Sequence, residues 1–346
     1  MTDPADLPRV SVIVPIRNEA DFIERCLRSI LENDYPADRV EVLVVDGMSD
    51  DGTREIVGRV AAAEPRVRLL DNPQRIVPFA MNRGIRESRG DLVLRIDGHA
   101  AAPPDFIARN VAAMQEHPDA WGVGGAIDTV CSNDVGRAIS AAMTSPVGVG
   151  NARFRLGGFQ GYVDTIPFPC YRRWVFDRIG LFDEELVRNQ DDEFNLRLTL
   201  AGGKLWMDSR IRSQYFARGS LRKLARQYFQ YGFWRIRTIQ KHRRPASLRQ
   251  IAPMIFVSTW LALIVGTVVW RPIGCVLAAF AALYALGLAV GALDVARKAG
   301  LKYALLAPLA FMAMHFCYGL GSLEGLVVFG LLRRKPARPE DHPMSR

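Results

Sequence analysis

Short apolar runs alternate with helix-like segments through the first hundred residues, and this alternation constrains the fold more than any other feature. The runs VSVIVP, VEVLVV, VRLLD and LVLRI occupy residues 10–15, 40–45, 67–71 and 92–96. Between the first two runs, apolar residues recur at helical spacing from Phe22 to Leu31. Because consecutive strands joined by such crossovers pair in parallel, the pattern predicts an α/β fold with a doubly wound, mostly parallel sheet.

Two of these strands end in an acid. Asp46 closes the second run and Asp97 closes the fourth. Since parallel strands share a direction, both carboxylates are expected on one edge of the sheet, where open α/β folds bind ligands. Gly98 permits a tight turn after Asp97, and His99 adds a second candidate ligand for a divalent cation. Two interpretations of His99 fit equally well: a metal ligand, or a loop histidine bonded to a backbone carbonyl.

Charge and composition narrow the function classes. Among 346 residues the formal net charge is +9, and the basic excess gathers between Arg210 and Arg249, directly before an apolar region. Because an apolar region follows directly, the basic segment is better interpreted as a cytoplasmic region that binds anionic lipid headgroups than as a nucleic-acid-binding surface. The 5 cysteines have no CxxC spacing, which predicts reduced residues without zinc or disulfides. The acidic N-terminus lacks the apolar core of a signal peptide, so the first module is expected in the cytosol.

The C-terminal part of the chain is predicted to lie in a membrane. Residues 251–270 and 272–293 are each apolar and long enough to cross a bilayer. A longer run, 303–332, is interrupted by Gly319, Gly321, Glu324 and Gly325. Three full spans leave Arg333 and Arg334 outside, against the positive-inside tendency, whereas a re-entrant or tilted last segment returns the tail to the cytoplasm. The sequence is compatible with both topologies.

An acidic cluster opens a segment with helical character near residue 190. Asp191, Asp192 and Glu193 directly follow Gln190. The helix dipole favours acids at a helix N-terminus by about 0.3–1 kcal/mol each. Three adjacent carboxylates repel one another and raise one another's pKa, so the dipole alone does not account for them. A functional role for part of the cluster is therefore predicted.

The motifs VSVIVPIRNE, VEVLVVDGMSDDGT and DLVLRIDGHA, in this order and spacing, resemble the nucleotide-sugar half of family 2 glycosyltransferases with a GT-A fold. The resemblance covers residues 10–240 and is closest in character to membrane-anchored glucosyltransferases of bacterial exopolysaccharide assembly, the succinoglycan type. With the apolar runs, it predicts four regions. These are a GT-A domain over 1–217, basic interfacial helices over 218–250, a transmembrane segment of about three helices over 251–335, and a polar tail over 336–346.

The resemblance implies which residues bind the donor. Asp46 matches the acid that accepts hydrogen bonds from the uracil. The remaining donor positions implied by the family pattern are Pro15, Asn18, Glu19, Asn82 and Asp97. Asn82 is also consistent with an ordinary helix-surface asparagine. Because the leaving UDP is negatively charged, Arg75, Arg83 and Arg95 are candidate phosphate partners.

The resemblance also implies a metal. Asp97 matches the last acid of the family's DxD element, which coordinates Mg²⁺ or Mn²⁺ at the diphosphate. This chain has one acid there, with His99 two residues on. Imidazole suits Mn²⁺ better than Mg²⁺, so a manganese preference is predicted, with Asp97 and His99 as ligands.

The acidic cluster resembles the family's E-D-x-D/E-L element, whose aspartate deprotonates the acceptor hydroxyl. Asp191 aligns with that base. Because Gln190 stands where relatives often have Glu, Asp192 remains the alternative base. An inverting displacement needs a base on the face opposite the departing phosphate and no covalent nucleophile.

Acceptor contacts are predicted at three residues. The segment 150–168 is rich in glycine and aromatic residues and is predicted to be a mobile loop that stacks Tyr162 on a sugar. Gln230 and Trp234 partly resemble the QxxRW element of processive synthases, although Phe233 replaces its arginine. The few predicted spans and Phe233 disfavour a processive synthase.

The predicted function is a metal-dependent inverting hexosyltransferase, multi-pass in the plasma (inner) membrane with a cytoplasmic catalytic domain. It moves a sugar, glucose by family analogy, from a UDP-sugar to a lipid-linked saccharide in exopolysaccharide or cell-surface glycan synthesis. Membrane lipids are further expected partners, and nucleic acid is not. Two alternatives stay open. One is a polyprenyl-phosphate glycosyltransferase, whose phosphate acceptor needs no base, and the other is a catalytically silent membrane scaffold of a glycan-assembly complex.

Overall fold

The computed structural model describes residues 7–131, 133–150, 152–156, 158–216 and 219–334. The predicted polar tail, 336–346, lies outside the described residues. Contacts divide the chain into two compact units. The first contains the described residues of 1–129 and 157–216, and the second those of 130–156 and 217–334.

Strands lie in the first unit, and helices occur in both. The strands are β1 (Val10–Ile16), β2 (Val40–Asp46), β3 (Val67–Asp71), β4 (Leu92–Arg95), β5 (Ala100–Ala101), β6 (Ala120–Val130), β7 (Gly161–Val163), β8 (Cys170–Arg172) and β9 (Lys204–Phe216). The helices are α1 (Ile23–Leu31), α2 (Thr53–Ala63), α3 (Val77–Glu87), α4 (Phe106–Glu116), α5 (Asp134–Met143), α6 (Pro146–Val149), α7 (Arg153–Leu156), α8 (Trp174–Ile179), α9 (Gln190–Leu200), α10 (Leu221–His242), α11 (Ala252–Val269), α12 (Ile273–Ala299), α13 (Leu301–Ala304) and α14 (Ala307–Gly325). Short 3₁₀ turns cover Ala37–Arg39 and Leu248–Gln250, and a π-helical turn, Leu326–Leu331, follows α14.

Nine strands in the described part of the chain form one sheet, in the order β3-β2-β1-β4-β8-β6-β9-β5, with β7 paired to β9. The strands β1 to β4 pair in parallel, and Val10 lies opposite both Val40 and Leu92. β8 pairs antiparallel with β4 and β6, and β5 and β7 pair antiparallel with β9. The predicted α/β sheet is therefore confirmed, and its second half is mixed because antiparallel neighbours need no helical crossover.

The predicted apolar runs are buried strands. All seven residues of β1 are buried, and β2 is buried except at the half-buried Glu41. Helix α3 packs on β1 and β2, and α4 packs on β9. Burial on both faces explains why these strands read as nearly continuous apolar runs. It also holds the carboxyl ends of the parallel strands in fixed positions.

The second unit is helical. The segment 130–156, which the sequence analysis assigned to the catalytic domain, groups here: Ile139 and Ala142 of α5 share an apolar cluster with Ala307 and Phe311 of α14. The predicted domain limits at 217 and 250 stay predictions. By length and composition, α11, α12 and the stretch Leu301–Leu331 are each apolar enough to cross a membrane.

Gly125 of β6 tests how tightly the sheet is packed. A Cβ at this position would lie 1.8 Å from the carbonyl oxygen of Ile211 in β9. Backbone, unlike a flexible side chain, cannot move aside, so we expect Gly125→Ala to lower the free energy of unfolding by about 1–3 kcal/mol. Chemical denaturation of the purified protein measures it.

Gly58, exposed in α2, provides the control. A Cβ there meets nothing within 4 Å, so Gly58→Ala is expected to raise stability by about 0.5–1 kcal/mol through helix propensity. Equal effects of the two substitutions would contradict the packing of β6 against β9.

Candidate functional site

The carboxyl ends of the parallel strands meet at one edge of the sheet, which we call the rim. The loops after β1, β2, β3 and β4 form it. Three of these loops contain a non-glycine residue with positive φ: Asn18 at 56°, Met48 at 58° and Arg75 at 65°. Such backbone persists only where the surrounding structure enforces it, and it is concentrated at functional sites. The rim is therefore the candidate site of the first unit.

Hydrogen bonds join the loops after β1 and β2. The Asn18 amide donates to Asp50 Oδ1 at 2.9 Å and accepts from Asp50 N at 3.1 Å. Glu19 N donates to Thr53 Oγ1 at 2.8 Å. Pro15 is buried within β1. These residues build the frame of the rim, and the contacts to a donor base predicted for Pro15, Asn18 and Glu19 stay predictions.

Asp46 ends β2 with a fully buried side chain. Its carboxylate accepts from Ser49 N at 3.0 Å, from the Ser49 hydroxyl, and from Arg54 Nη1 at 2.6 Å. Arg54 Nη2 also donates to Asp71 Oδ1 at 2.7 Å. Asp46 thus ties the loop after β2 to α2 and β3, and its uracil contact stays a prediction. The sequence analysis missed Arg54 because its spacing does not distinguish it from other helix-surface arginines.

Asp97 follows β4, and its side chain is 16% exposed. Arg95 Nε donates to Asp97 Oδ1 at 2.9 Å. Burial by itself lowers the pKa of Arg95, but the carboxylates of Asp97 and Asp191 more than offset this and raise it above its ordinary value. Arg95 is therefore a buried counter-charge that contacts Asp97 and also interacts with the charge of Asp191. The phosphate contact predicted for Arg95 stays a prediction.

Gly98 is required where the chain turns after Asp97. A Cβ at Gly98 would lie 2.6 Å from Ile16 Cγ2. The next residue, His99, has its Nδ1 3.0 Å from Oε1 of the buried Glu19. A carboxylate at Nδ1 favours the tautomer protonated there, which leaves Nε2 as the lone-pair nitrogen. The partner of Nδ1 is thus a carboxylate, and not the backbone carbonyl of the alternative interpretation.

The carboxylate of Asp97 and the imidazole of His99 are donor types that could hold a divalent cation. Two protein ligands would leave most of the coordination sphere to oxygens of a bound ligand or of water. Within the described ranges, no group of three or more His, Cys, Asp or Glu side chains is arranged to hold a metal ion. A cation at Asp97 and His99 would therefore need further ligands from a bound molecule or from water.

Helix α9 carries the acidic cluster. It begins after Asn189, whose backbone is left-handed with φ of 62°. Burial first, and the charge of Asp192 second, raise the pKa of the half-buried Asp191, while Arg95 acts to lower it. Asp191 and Asp97 thus both interact with Arg95. Two of the predicted acids, 94 positions apart in the sequence (191 − 97 = 94), are therefore close enough to the same guanidinium for both charges to act on it.

The other residues of the cluster differ in role. Arg197 binds the carboxylate of Glu193 through two nitrogens, at 2.7 and 2.9 Å, and donates to the carbonyls of Ile179 and Leu181. Glu193 is therefore structural. Gln190 Oε1 is buried and accepts no hydrogen bond from the described residues. The sequence marked Gln190 only as a departure from the family pattern and gave no sign of its burial. Asp192, half-buried, stays the alternative base.

Asn82 has an internal role. It is buried in α3, and its amide donates to Phe182 O at 2.9 Å and Glu184 Oε1 at 2.8 Å while accepting from Phe182 N at 2.8 Å. These bonds fasten the segment before α9 to α3. The donor contact predicted for Asn82 stays a prediction, and the surface alternative is wrong because the side chain is buried.

Tyr162 lies away from the rim. It is in strand β7, opposite Trp206, and its hydroxyl donates to Asp119 Oδ2 at 2.6 Å. The other end of β9 reaches the rim, where Tyr215 pairs with Ala100. At the rise of a β-strand, Trp206 and Tyr215 are about 30 Å apart. The structure therefore does not bring Tyr162 to the candidate site, and the segment predicted as a mobile loop contains a paired strand.

Gln230 and Trp234 belong to α10 in the second unit. Trp234 is 3% exposed, and its ring lies 6.0 Å from that of Phe329 and 5.7 Å from that of Phe233, between centroids. Its surroundings are those of a packed core residue. The acceptor contacts predicted for Gln230 and Trp234 stay predictions.

Comparisons with known proteins bear on this arrangement. The model of the family described as glycosyl transferase family 2 matches residues 11–180. The chain is 32% identical to the succinoglycan biosynthesis protein ExoA of Rhizobium meliloti (strain 1021), over 92% of this chain and 95% of that protein.

Two further proteins are similar. A dolichyl N-acetyl-alpha-D-glucosaminyl phosphate 3-beta-D-2,3-diacetamido-2,3-dideoxy-beta-D-glucuronosyltransferase of Methanococcus voltae is 29% identical over 64% of this chain and 71% of its own length. A mannosyltransferase from Pyrobaculum calidifontis, solved in complex with GDP-Man and Mn²⁺, aligns with a TM-score of 0.57 at 22% identity, over 88% of this chain and 87% of that one. This likeness confirms the predicted GT-A fold.

The raised pKa of Asp191 predicts an effect on stability. A raised folded pKa means that protonated Asp191 stabilises the fold at low pH, and that this contribution is lost as pH rises through the folded pKa. Asp191→Asn should therefore raise the melting temperature at neutral pH, by about 2–4 °C for each kcal/mol recovered. The gain should shrink as the pH is lowered, and thermal unfolding in detergent across a pH series measures it.

Asp51 provides a control of opposite sign. Burial by itself raises the pKa of Asp51, but hydrogen bonds from Thr53 and Ala20 outweigh it and hold the pKa below its ordinary value. Ionised Asp51 thus stabilises the fold above its unfolded pKa, and Asp51→Asn should lower the melting temperature at neutral pH. A lowered melting temperature for Asp191→Asn as well would contradict the environment described for Asp191.

Proposed function

The chain belongs to glycosyl transferase family 2, and we propose that it is a metal-dependent inverting glycosyltransferase. The proposed donor is a UDP-sugar, with glucose as the sugar, and the proposed acceptor is a lipid-linked saccharide at the cytoplasmic membrane face. The product is a precursor of an exopolysaccharide or another cell-surface glycan. The observation that carries the proposal is Arg95, which hydrogen-bonds Asp97 and interacts electrostatically with Asp191.

In the proposed mechanism, Asp191 is the catalytic base. It accepts the proton of the acceptor hydroxyl, whose oxygen forms a bond to the anomeric carbon. The bond from that carbon to the diphosphate oxygen breaks, and UDP leaves with the electron pair. Attack opposite the leaving group inverts the anomeric configuration. The raised pKa makes Asp191 a better proton acceptor than an ordinary aspartate, and Arg95 favours its ionised form.

Asp97 and His99 are the proposed ligands of a divalent cation. When bound, such a cation neutralises charge on the departing diphosphate. Glu19 orients His99 through Nδ1 and makes the imidazole a better ligand at Nε2. A site of one carboxylate and one imidazole supports the preference for Mn²⁺ over Mg²⁺.

The partners rest on the relatives. The name of the Rhizobium meliloti relative supports a role in exopolysaccharide synthesis. The name of the Methanococcus voltae relative supports an acceptor carried on a lipid. Apolar helices and the basic α10 support a multi-pass membrane protein whose catalytic unit faces the cytoplasm.

Replacing the base should abolish transfer. We expect Asp191→Asn to lower kcat by about 10²–10⁴-fold, the usual contribution of a general base. UDP affinity, measured by calorimetry, should stay unchanged. The matched control is Asp177→Asn on the exposed side of α8, which should retain full turnover.

Substantial turnover by Asp191→Asn, with normal UDP binding, would contradict Asp191 as the base and leave Asp192 as the alternative. Substantial turnover by the double variant Asp191→Asn with Asp192→Asn would contradict an attacking hydroxyl. It would support the polyprenyl-phosphate alternative, because a phosphate acceptor is already ionised. UDP binding by the wild-type protein without transfer to any extracted lipid-linked acceptor would support the scaffold alternative.

The contact between Glu19 and His99 predicts a loss of metal affinity. Glu19→Gln removes the charge that favours the ligating tautomer, so Mn²⁺ affinity in the presence of UDP should fall about 10–100-fold. Electron paramagnetic resonance of free Mn²⁺ measures this directly, without turnover. Glu24→Gln, at an exposed position in α1 paired with Arg28, is the control and should leave the affinity unchanged.

A further inference from the structure

We infer that the chain crosses the membrane only twice, through α11 and α12, and that α14 lies along the membrane surface beside α10. This inference rests on the membrane location proposed above. It replaces the three spans expected from apolar length with one transmembrane hairpin and one apolar helix embedded in a single leaflet.

The first argument is the pairing of α10 with α14. A Cβ at Gly321 would lie 2.0 Å from the carbonyl oxygen of Phe229, and one at Gly325 would lie 2.6 Å from that of Phe233. Gln240 Nε2 continues the contact by donating to Phe329 O at 2.9 Å. Residue numbers rise together along both helices, so the two run side by side in the same direction. Contacts that continue from Phe229 to Gln240 keep the two helices close along this length, so a steep crossing of the bilayer by α14 would take α10 with it.

The second argument is the charge of α10. This helix contains Arg222, Lys223, Arg226, Arg235, Arg237 and Lys241. Each Lys or Arg at the centre of a membrane-spanning helix costs about 2.5–3.5 kcal/mol. Arg226, Arg235 and Arg237 lie inside the end turns of α10, and the other three are at its ends. This charge makes a transmembrane orientation of α10 strongly unfavourable. Because the backbones of the two helices are in contact, a crossing of the bilayer by α14 is unfavourable as well.

Helices α5 and α6 cover one side of the first half of α14. His315 Nε2 lies 2.8 Å from the carbonyl oxygen of Val147 in α6, and Phe311 and Met314 share an apolar cluster with Ile139 of α5. The share of buried residues in the most apolar window is 39% for Leu301–Leu331, against 6% for α11 and 0% for α12. Lipid can surround α11 and α12, but protein already covers one side of α14.

Polar contacts hold the segment that leads into α14, at the end of α12 and in α13. Lys302 Nζ lies 2.6 Å from Asp134 Oδ2, and Lys298 Nζ lies 3.3 Å from the carbonyl oxygen of Thr144. Such exposed ion pairs and backbone contacts belong in water or at headgroups. They hold the start of α14 at the membrane surface.

Helix α14 also contacts the hairpin. A Cβ at Gly319 would lie 2.3 Å from the carbonyl oxygen of Pro253, and the ring of His315 lies 5.9 Å from that of Tyr284. Pro253 lies at the entry of α11, and Tyr284 packs beside Phe256, one turn further along α11. In the described part of the chain, no such glycine or ring contact with α14 is made near the tip of the hairpin. Large apolar side chains are exposed along the whole hairpin, from Ile255 and Leu293 near its entry to Val269 and Trp270 at its tip. The hairpin therefore has the exposure expected of a bilayer-inserted segment.

The uncovered side of α14 and its π-helical extension is apolar except at Glu324, which is exposed. Its exposed apolar side chains include Leu309, Met312, Leu320, Val327 and Leu331. A carboxylate on this side is compatible with a helix at headgroup depth and costly for one that crosses the bilayer. This face adjoins the apolar surface of the hairpin. We therefore infer that it contacts the acyl chains of the leaflet at which α11 enters, which is the usual location of an interfacial helix. Two crossings then return Arg333 and Arg334 to the side of Arg249, in agreement with the positive-inside tendency.

Cysteine labelling tests the topology. In a variant whose native cysteines are replaced by serine, single substitutions Arg249→Cys, Arg271→Cys and Arg333→Cys are treated with a membrane-impermeant maleimide in sealed, oriented vesicles. We expect Arg249→Cys and Arg333→Cys to label from one side and Arg271→Cys from the other. Labelling of Arg333→Cys with Arg271→Cys would overturn the inference, as would labelling of all three from one side.

A depth measurement covers the case in which the cysteine-free protein folds poorly. A nitroxide on Leu320→Cys, near the middle of the third apolar run, should report a depth close to the headgroups, and one on Val265→Cys a depth near the bilayer centre. Equal, deep positions would overturn the inference. Because sugar transfer is measured separately, a third span in an active enzyme refutes the topology alone, whereas inactivity with the expected labelling refutes only the proposed function.

Discussion

The buried guanidinium of Arg95 is the interaction on which the candidate site depends. It hydrogen-bonds Asp97 at the end of β4 and balances the charge of Asp191 at the start of α9. Two partly buried carboxylates near each other repel unless a cation compensates their charge. A single arginine therefore lets Asp97 and Asp191 share one edge of the sheet, although they are distant in sequence. The roles proposed for them, beside the diphosphate and as the base, depend on this arrangement.

The acids of this chain differ in role because their surroundings differ. Asp46 is fully buried and saturated by Ser49 and Arg54, and Glu193 is bound by Arg197. In this structure both carboxylates hold neighbouring segments of the chain together. Asp191, in contrast, has a raised pKa, so its ionisation at neutral pH costs free energy in the folded state. Ionised Asp191 therefore lowers the stability of the fold, which agrees with the role as base proposed for it.

The surroundings of a segment also decide the role of the apolar helices. Hydropathy alone treats α11, α12 and the stretch Leu301–Leu331 alike. Their neighbours separate them, since α14 packs through glycines against a helix with six basic residues, whereas apolar side chains are exposed along the whole hairpin. A membrane contact is thus a property of what a helix packs against as well as of its own side chains.

The sequence by itself determined the strands β1 to β4, their parallel pairing, the shared edge of Asp46 and Asp97, and the family, because these follow from periodicity and short motifs. It could not determine that Glu19 contacts His99, that Arg95 joins Asp97 to Asp191, or that Tyr162 is about 30 Å along the sheet from the rim. Each of these depends on residues distant in sequence that only the packed chain brings together or separates. Tertiary structure decided them because side-chain partners are set by strand order and helix packing, and no local pattern records either.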